Sequence, residues 1–333
     1  MKKIPIALII LFSFAYAQEV EYGDEFLKFG ASTRSISLGR AVVALPQHVG
    51  GYLVNPAATT FLSGVVFTGM YANQFDLAEY YSVGFQLPIK KGFQFGIHGI
   101  SLNIDNIFER PNLFNVNDIE SRRDSIRKLV NAGLNSFNTR ESAITFNISK
   151  NFSQRARVGN NSKIPFVIPF GLNIRLLSKD LYNNKGIGIG FDLGTMVKFN
   201  FEEIQRFKLV DEISFGGTLS NINKTKIYWD SDINELIPME IIYGAGISRS
   251  FNILPLKLIF IVQSKYRDNE FLQYGSEVTL FDKIAVRIGS ENDIVQGGLG
   301  IKFTKSDRKI GIDYSFSNHD LGNSHRFGGW ISL

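Results

Sequence analysis

Residues 186–199 read GIGIGFDLGTMVKF. Ile187, Ile189, Phe191, Leu193, Thr195, Val197 and Phe199 take every second position, with Gly186, Gly188, Gly190, Asp192, Gly194, Met196 and Lys198 between them. A period of two sends the first set to one face of a strand and the second set to the other. One face is apolar. The other is glycine with isolated charges. The same division recurs at Ile284/Val286/Ile288 against Lys283/Ala285/Arg287, at Leu299/Ile301/Phe303 against Gly298/Gly300/Lys302, and at Ile310/Ile312/Tyr314/Phe316 against Gly311/Asp313/Ser315.

Working outward from this stretch, the alternation predicts about fourteen strands of roughly 9–14 residues each, separated by turn-rich connections. The expected spans are 64–72, 79–88, 92–103, 139–152, 164–178, 186–201, 210–222, 237–250, 255–268, 271–281, 283–291, 294–304, 308–318 and 323–333. A soluble sandwich also alternates, so length and number decide. Ordinary strands run about five or six residues, whereas a tilted membrane strand needs about 9–11. An even strand number and a sparsely charged, glycine-rich second face fit the lumen of an outer-membrane barrel. The expected fold is all-β: a 14-stranded antiparallel transmembrane β-barrel, residues 63–333.

The ends agree with that destination. Residues 1–17 carry Lys2 and Lys3, an apolar run, and the small-x-small pattern Ala15-Tyr16-Ala17 of a secretory signal peptide. No cysteine follows, so neither a lipoprotein anchor nor a disulfide framework is expected. The apolar run is too short for a comfortable membrane helix. The expected location is the bacterial cell outer membrane, in contact with its lipid and lipopolysaccharide. Charges of both signs are interspersed, which gives no nucleic-acid footprint.

Two segments break the alternation. Within 116–137, Ile119, Ile126, Val130, Leu134 and Phe137 recur at helical intervals, and Asp118 is placed to cap the helix. This predicts one amphipathic helix in the longest outer loop, either covering the barrel mouth or meeting a partner. Arg122, Arg123, Arg127 and Lys128 make it basic. The second segment is 18–62, which contains SISLGRAVVALPQHVGGYLVNPAATTFL at 35–62. Gly39 permits close packing and a left-handed turn. Arg40 is a buried charge that needs a lumen carboxylate such as Asp192, Glu277 or Asp313. Asn55 can bond its own backbone, and Pro56, followed by Ala57, keeps Asn55 out of helical geometry.

That segment resembles the N-terminal part of the FadL-type superfamily of outer-membrane barrels. Ser37-Leu38-Gly39-Arg40-Ala41 and Asn55-Pro56-Ala57 carry the resemblance. Within the superfamily, FLKFGASTRSISLGRA at 26–41 and IGIDYSFSNHDLGNSHRFG at 310–328 are similar to the PorV/PorQ (UPF0164-like) branch. The resemblance implies an N-terminal plug inside the lumen. In the PorV/PorQ branch it implies an accessory part in type IX secretion or surface attachment of exported proteins, with other secretion-system or surface proteins as partners. In FadL-type members it implies passive passage of long-chain fatty acids or other hydrophobic ligands.

The expected inner face offers Arg175, Asp192, Glu277, Arg287, Gln296, Lys302 and Asp313, paired with one another or with the plug, or lining a polar route. No CxxC, HExxH, GxSxG or Walker pattern occurs. GIGIGFDLG lacks the following helix that a phosphate loop requires. His48, His98, His319 and His325 do not supply a converging ligand set, although His319, Asp320 and His325 are near in sequence. No catalytic residue, metal site or cofactor is expected.

Overall fold

A computed structural model describes residues 23–46, 50–75, 77–109, 118–158, 162–201, 209–231, 234–251, 255–267, 270–319 and 322–333. The signal peptide and Asp320 lie outside these. The strands are β1 (Val66–Gln74), β2 (Ala78–Pro88), β3 (Phe93–Phe108), β4 (Ser136–Val158), β5 (Ser162–Leu181), β6 (Asn184–Asn200), β7 (Glu212–Ser220), β8 (Lys226–Trp229), β9 (Asn234–Leu236), β10 (Glu240–Phe251), β11 (Leu256–Tyr266), β12 (Glu270–Leu280), β13 (Ile284–Glu291), β14 (Ile294–Lys305), β15 (Arg308–His319) and β16 (Gly322–Ser332).

Setting aside the short β8–β9 hairpin, each strand is antiparallel to its neighbours in the chain, and β1 pairs with β16 from Val66↔Ser332 to Gln74↔Ser324. The result is a closed barrel of fourteen strands. Closure leaves no free edge within the membrane, which a hydrocarbon layer demands because it offers no water to unpaired backbone groups. The outward set of β6 is exposed at Ile187, Ile189 and Leu193, while Gly186, Gly188, Asp192 and Gly194 face in. Phe67, Val83, Ile144, Phe215, Phe260, Ile288, Leu299 and Ile312 continue the apolar outer band. Among the described residues, no helix is long and apolar enough to cross a membrane. The chain is an outer-membrane barrel.

Two-residue hairpins fit the strand twist when both central residues have positive φ. Asn292 and Asp293 do so, at 49° and 65°. The barrel end that holds Val66 and Ser332 is here called the terminal end. The opposite, loop end carries the long connections 109–135 and 221–239. By the asymmetry of outer-membrane barrels, the loop end faces outside.

Two features differ from expectation. β4 and β5 have 23 and 20 residues, and their pairing runs to Val158↔Ser162, although β3 accompanies β4 only as far as Lys150. The expected turn at 152–163 is therefore mostly strand, and the hairpin overruns the terminal rim. Second, part of the 223–236 connection folds as β8–β9, whose strands are too short to show a period. β8 pairs with β6 at Gly186, Ile187 and Gly188. Below it Asn223 substitutes for a strand: its Oδ1 accepts from Phe191 N (3.2 Å) and its Nδ2 donates to Ile189 O (2.7 Å). Helix α2 (Ile119–Ala132), capped by Asp118 Oδ2 accepting from Ser121 N (2.8 Å), has none of its residues buried. α1 is the short helix Thr33–Ser37 of the interior segment described below.

An Ile288→Lys substitution places an ammonium on the outer band near the middle of β13. It should cost about 2–4 kcal/mol of barrel stability, read as a lower urea midpoint. The wild-type barrel should migrate faster before boiling than after on a denaturing gel.

Candidate functional site: the lumen and its interior segment

Residues 23–46 and 50–64 run through the lumen from the loop end to the terminal end. At the start, Asp24 meets Arg267, just past β11, with Nη1 to Oδ1 at 3.0 Å and Nη2 to Oδ2 at 2.5 Å. At the finish, Val65 and Leu333 exchange backbone bonds of 3.0 and 2.9 Å, and Ser332 Oγ donates to Ser63 O (2.7 Å). Small helices and left-handed residues fold the path between. Ser32 Oγ accepts from Ser35 N (3.2 Å) and caps α1. Gly39 and Arg40 then turn the chain with φ of 62° and 59°.

The Asn55-Pro56-Ala57 element is a second cap. Asn55 is fully buried; its Oδ1 accepts from Ala57 N (2.9 Å), and Pro56 opens the 3-10 helix Pro56–Phe61. Asn55 Nδ2 donates both to Val43 O (2.7 Å) and to Thr195 O on β6 (3.0 Å). One side chain thus caps the helix, joins two parts of the segment and fixes them to the wall. Asn147 and Asn173 extend this seat, donating to Pro56 O (3.1 Å) and Tyr52 O (2.9 Å).

Inward glycines let the segment's backbone touch the wall. A Cβ at Gly171 or Gly194 would strike Pro56 or Asn55, one at Gly216 would strike Val43, and one at Gly275 or Gly289 would strike Leu38. In the other direction, a Cβ at Gly39 would strike the backbone of Ser290 on β13. The glycine-rich face is therefore a molded contact surface.

The predicted lumen charges form two clusters. Arg175 pairs with Asp192 between β5 and β6, and both are fully buried. Arg287 lies between Glu277 and Asp313, with 2.6 Å bonds to each. These strand residues hold more carboxylates than cations, and Arg34 of α1 supplies the balance: its Nε and Nη2 reach Glu277 at 2.8 and 2.7 Å. The chain Arg34–Glu277–Arg287–Asp313 links the segment to three strands. Arg40 pairs with Glu291, not with Asp192, Glu277 or Asp313. The left-handed turn at Gly39–Arg40 directs it to the loop-end tip of β13, and Arg34 already holds Glu277. Arg34 was legible only as the unassigned cation in ASTRSIS. Lys302 is drawn to the terminal rim by Asp282 (2.6 Å), apart from the deeper cluster. Gln296 is buried on β14.

Of the histidines, His98 is buried, stacks on Tyr52 (centroids 3.6 Å, 12°) and shares a 3.2 Å bond with Gln86. His325 faces outward, because β16 alternation places Ser324 and Arg326 inside, and its ring meets Tyr314 OH at 2.7 Å. His48 lies outside the described residues. Among the described residues, no group of His, Cys, Asp or Glu is arranged to hold a metal.

The two halves of the lumen differ. Toward the loop end, inward Met70, Ala72, Tyr80, Ile100, Leu102, Ala143 and Leu177 are apolar, and Phe26, Leu27 and Ile36 of the segment pack with them under Ile227 and Ile237. Toward the terminal end, a cavity of about 360 Å³ is lined by Phe61, Leu62 and Trp330 and by charged Arg34, Lys198, Glu212, Lys257 and Lys302. A smaller polar cavity of about 80 Å³ lies among Asp24, Arg40, Arg175, Glu240 and Glu291.

These features define a fourteen-stranded outer-membrane barrel with a filled lumen. Neither a family model nor a curated protein sequence matches the chain. Among solved structures, it is similar to the CymD monoaromatic hydrocarbon channel (TM-score 0.49, 8% identity, 92% of this chain and 98% of that one). It is also similar to the Pseudomonas putida toluene transporter TodX (0.45, 12%, 91% and 96%) and to the Acinetobacter baumannii outer membrane protein Omp33 (0.37, 6%, 81% and 98%).

Glu277→Gln removes the carboxylate shared by two arginines. Breaking such a buried pair costs about 3–5 kcal/mol. Amide exchange across Thr33–Ser37 should accelerate while the outer halves of the strands stay protected. Asp24 provides a pH test. Burial pushes its carboxyl up, but hydrogen bonds and charge from Arg267 outweigh this and hold it below the usual value. A lowered folded pKa stabilises above the ordinary carboxylate range and is lost as pH falls through the lowered value. The Asp24–Phe29 stretch should stay protected from exchange at neutral pH and loosen only below about pH 4.

Proposed function

We propose that the protein is a passive, gated conduit for hydrophobic molecules across the outer membrane, and that residues 23–64 are its plug in the closed position. The observation that carries this reading is the apolar wall that β1–β5 present toward the loop end of the lumen. A barrel that conducts water and polar solutes has a polar interior. Here Met70, Ala72, Tyr80, Ile100, Leu102, Ala143 and Leu177 form an apolar wall on β1–β5, and Phe26, Leu27 and Ile36 pack against it. A hydrophobic ligand would replace those side chains with matter of the same kind, at little cost in transfer free energy. Elsewhere the plug is held by ion pairs and polar caps, whose groups can be rehydrated when it shifts, and by apolar contacts of its Leu38–Leu45 stretch near Ile242, Ile259 and Ile261. No covalent chemistry is part of this function.

A second reading has its own support. The plug backbone lies directly on glycines of β5, β6, β7, β12 and β13. So close a fit favours a permanent filling and a rigid platform for other proteins, as the PorV/PorQ-type resemblance implies for type IX secretion and surface attachment.

In liposomes, the purified protein should take up a labelled long-chain fatty acid faster than empty vesicles. Phe26→Ala combined with Leu27→Ala should raise the rate several-fold by thinning the apolar filling. Uptake no faster than empty vesicles from both proteins would overturn the conduit. Crosslinking to exported proteins in intact outer membranes, with no such uptake, would establish the platform.

A further inference from the structure

Helix α2 is fourteen residues of IESRRDSIRKLVNA with no buried side chain. Ile119 and Val130 are 68% and 55% exposed, and Ile126 and Leu129 are also bare. Exposed apolar side chains on a loop demand an explanation when they form a stripe. At about 100° per residue, Ile119, Ile126 and Val130 fall within about 40° of one another. Leu129 and Arg122 border that stripe on one side, and Arg123 and Arg127 on the other. Glu120 and Asp124 lie behind the second pair of arginines, farther from the apolar centre. An apolar stripe flanked by arginines, with acids behind, is the pattern of a helix lying in a membrane interface.

The position of the helix selects the leaflet. Glu109 N donates to Asn135 O (2.9 Å), so the loop closes directly above the ends of β3 and β4. Only Gly133, Leu134 and Asn135 separate Ala132 from the start of β4, which keeps the helix end within about 14 Å of the barrel rim. The outer face near that rim carries aromatics: Phe108 is exposed, and on the neighbouring strands the exposed Tyr71 and Tyr81 pack with centroids 5.3 Å apart. Aromatic girdles mark the interface of outer-membrane barrels. The helix is thus tethered where the outer band meets the headgroup layer.

We infer that α2 docks on the outer leaflet beside the barrel, with Ile119, Ile126 and Val130 among acyl chains and Arg122, Arg123 and Arg127 on the phosphates of lipid A. Arginine suits phosphate because its planar donors bind it bidentately. The helix is a lateral anchor that holds the longest loop away from the barrel mouth.

The test uses the full chain, which contains no cysteine, so a spin label on Ile126→Cys is the only one. The labelled barrel is inserted into phosphatidylcholine vesicles with bisphosphorylated lipid A, with dephosphorylated lipid A, or with neither. With bisphosphorylated lipid A, the label's collisions should shift from a water-soluble nickel chelate to oxygen. The shift should shrink with dephosphorylated lipid A and in the Arg122→Gln, Arg123→Gln, Arg127→Gln variant. Gel mobility before and after boiling would verify that the variant barrel is folded. A label equally open to the chelate in all three vesicles would overturn the inference. Shielding from both reagents would also overturn it, because it would mean that α2 packs on protein.

Discussion

Backbone N–H and C=O groups in the hydrocarbon layer must find partners within the protein. In this chain the pairing of β1 with β16 supplies the last of them. Closure at fourteen strands fixes the rest. A barrel of that width encloses more space than its own side chains fill, since about eight strands already suffice for a side-chain-filled interior. The space is taken by residues 23–46 and 50–64, which among the described residues have no regular structure that could stand alone. Their helices are a turn or two long, and isolated helices of that length do not persist in water. They hold their shape because the wall supplies partners, as Thr195 O does for Asn55 and Asn147 for Pro56 O.

Electrostatics then decides how the filling sits. Charges in a barrel interior are tolerable when paired and hydrogen-bonded. The wall leaves one carboxylate in surplus at Glu277 and Asp313, and Arg34 completes the set. A second tie at the loop end joins Asp24 to Arg267, and a third joins Arg40 to Glu291. These ties orient the segment along the barrel axis, while the glycine face sets its distance from the wall. The apolar cluster around Phe26 packs the β1–β5 side of the loop end, and a cavity of about 360 Å³ remains at the terminal end. The conduit proposed above rests on this combination of apolar packing and polar tethers.

The strands were legible in the sequence to within a few residues at most ends. Ile187 to Phe199 alternate without interruption, and a period of two leaves little choice of face. The cap at Asn55 was legible as well, because Pro56 restricts its backbone and its carboxamide has few other uses there. The hairpin β8–β9 was not, since strands of four and three residues carry no period. The overrun of β4 and β5 was hidden because polar residues of a strand outside the membrane need not alternate.

The amino-acid sequence by itself determined the class of fold, the location in an outer membrane, the faces of the strands and the residues whose chemistry would matter inside. Alternation, length and local turn chemistry act between near neighbours in the chain, so they can be read along it. Only the tertiary structure decided which charge meets which: Arg34 with Glu277, Arg40 with Glu291 and Lys302 with Asp282. It also gathered apolar lumen residues of β1–β5 around Phe26, while the ion pairs Asp24–Arg267 and Arg40–Glu291 lie elsewhere at the same loop end. Those outcomes depend on register and on the path of a folded segment through a closed wall, where partners more than 200 residues apart are brought within a hydrogen bond of each other.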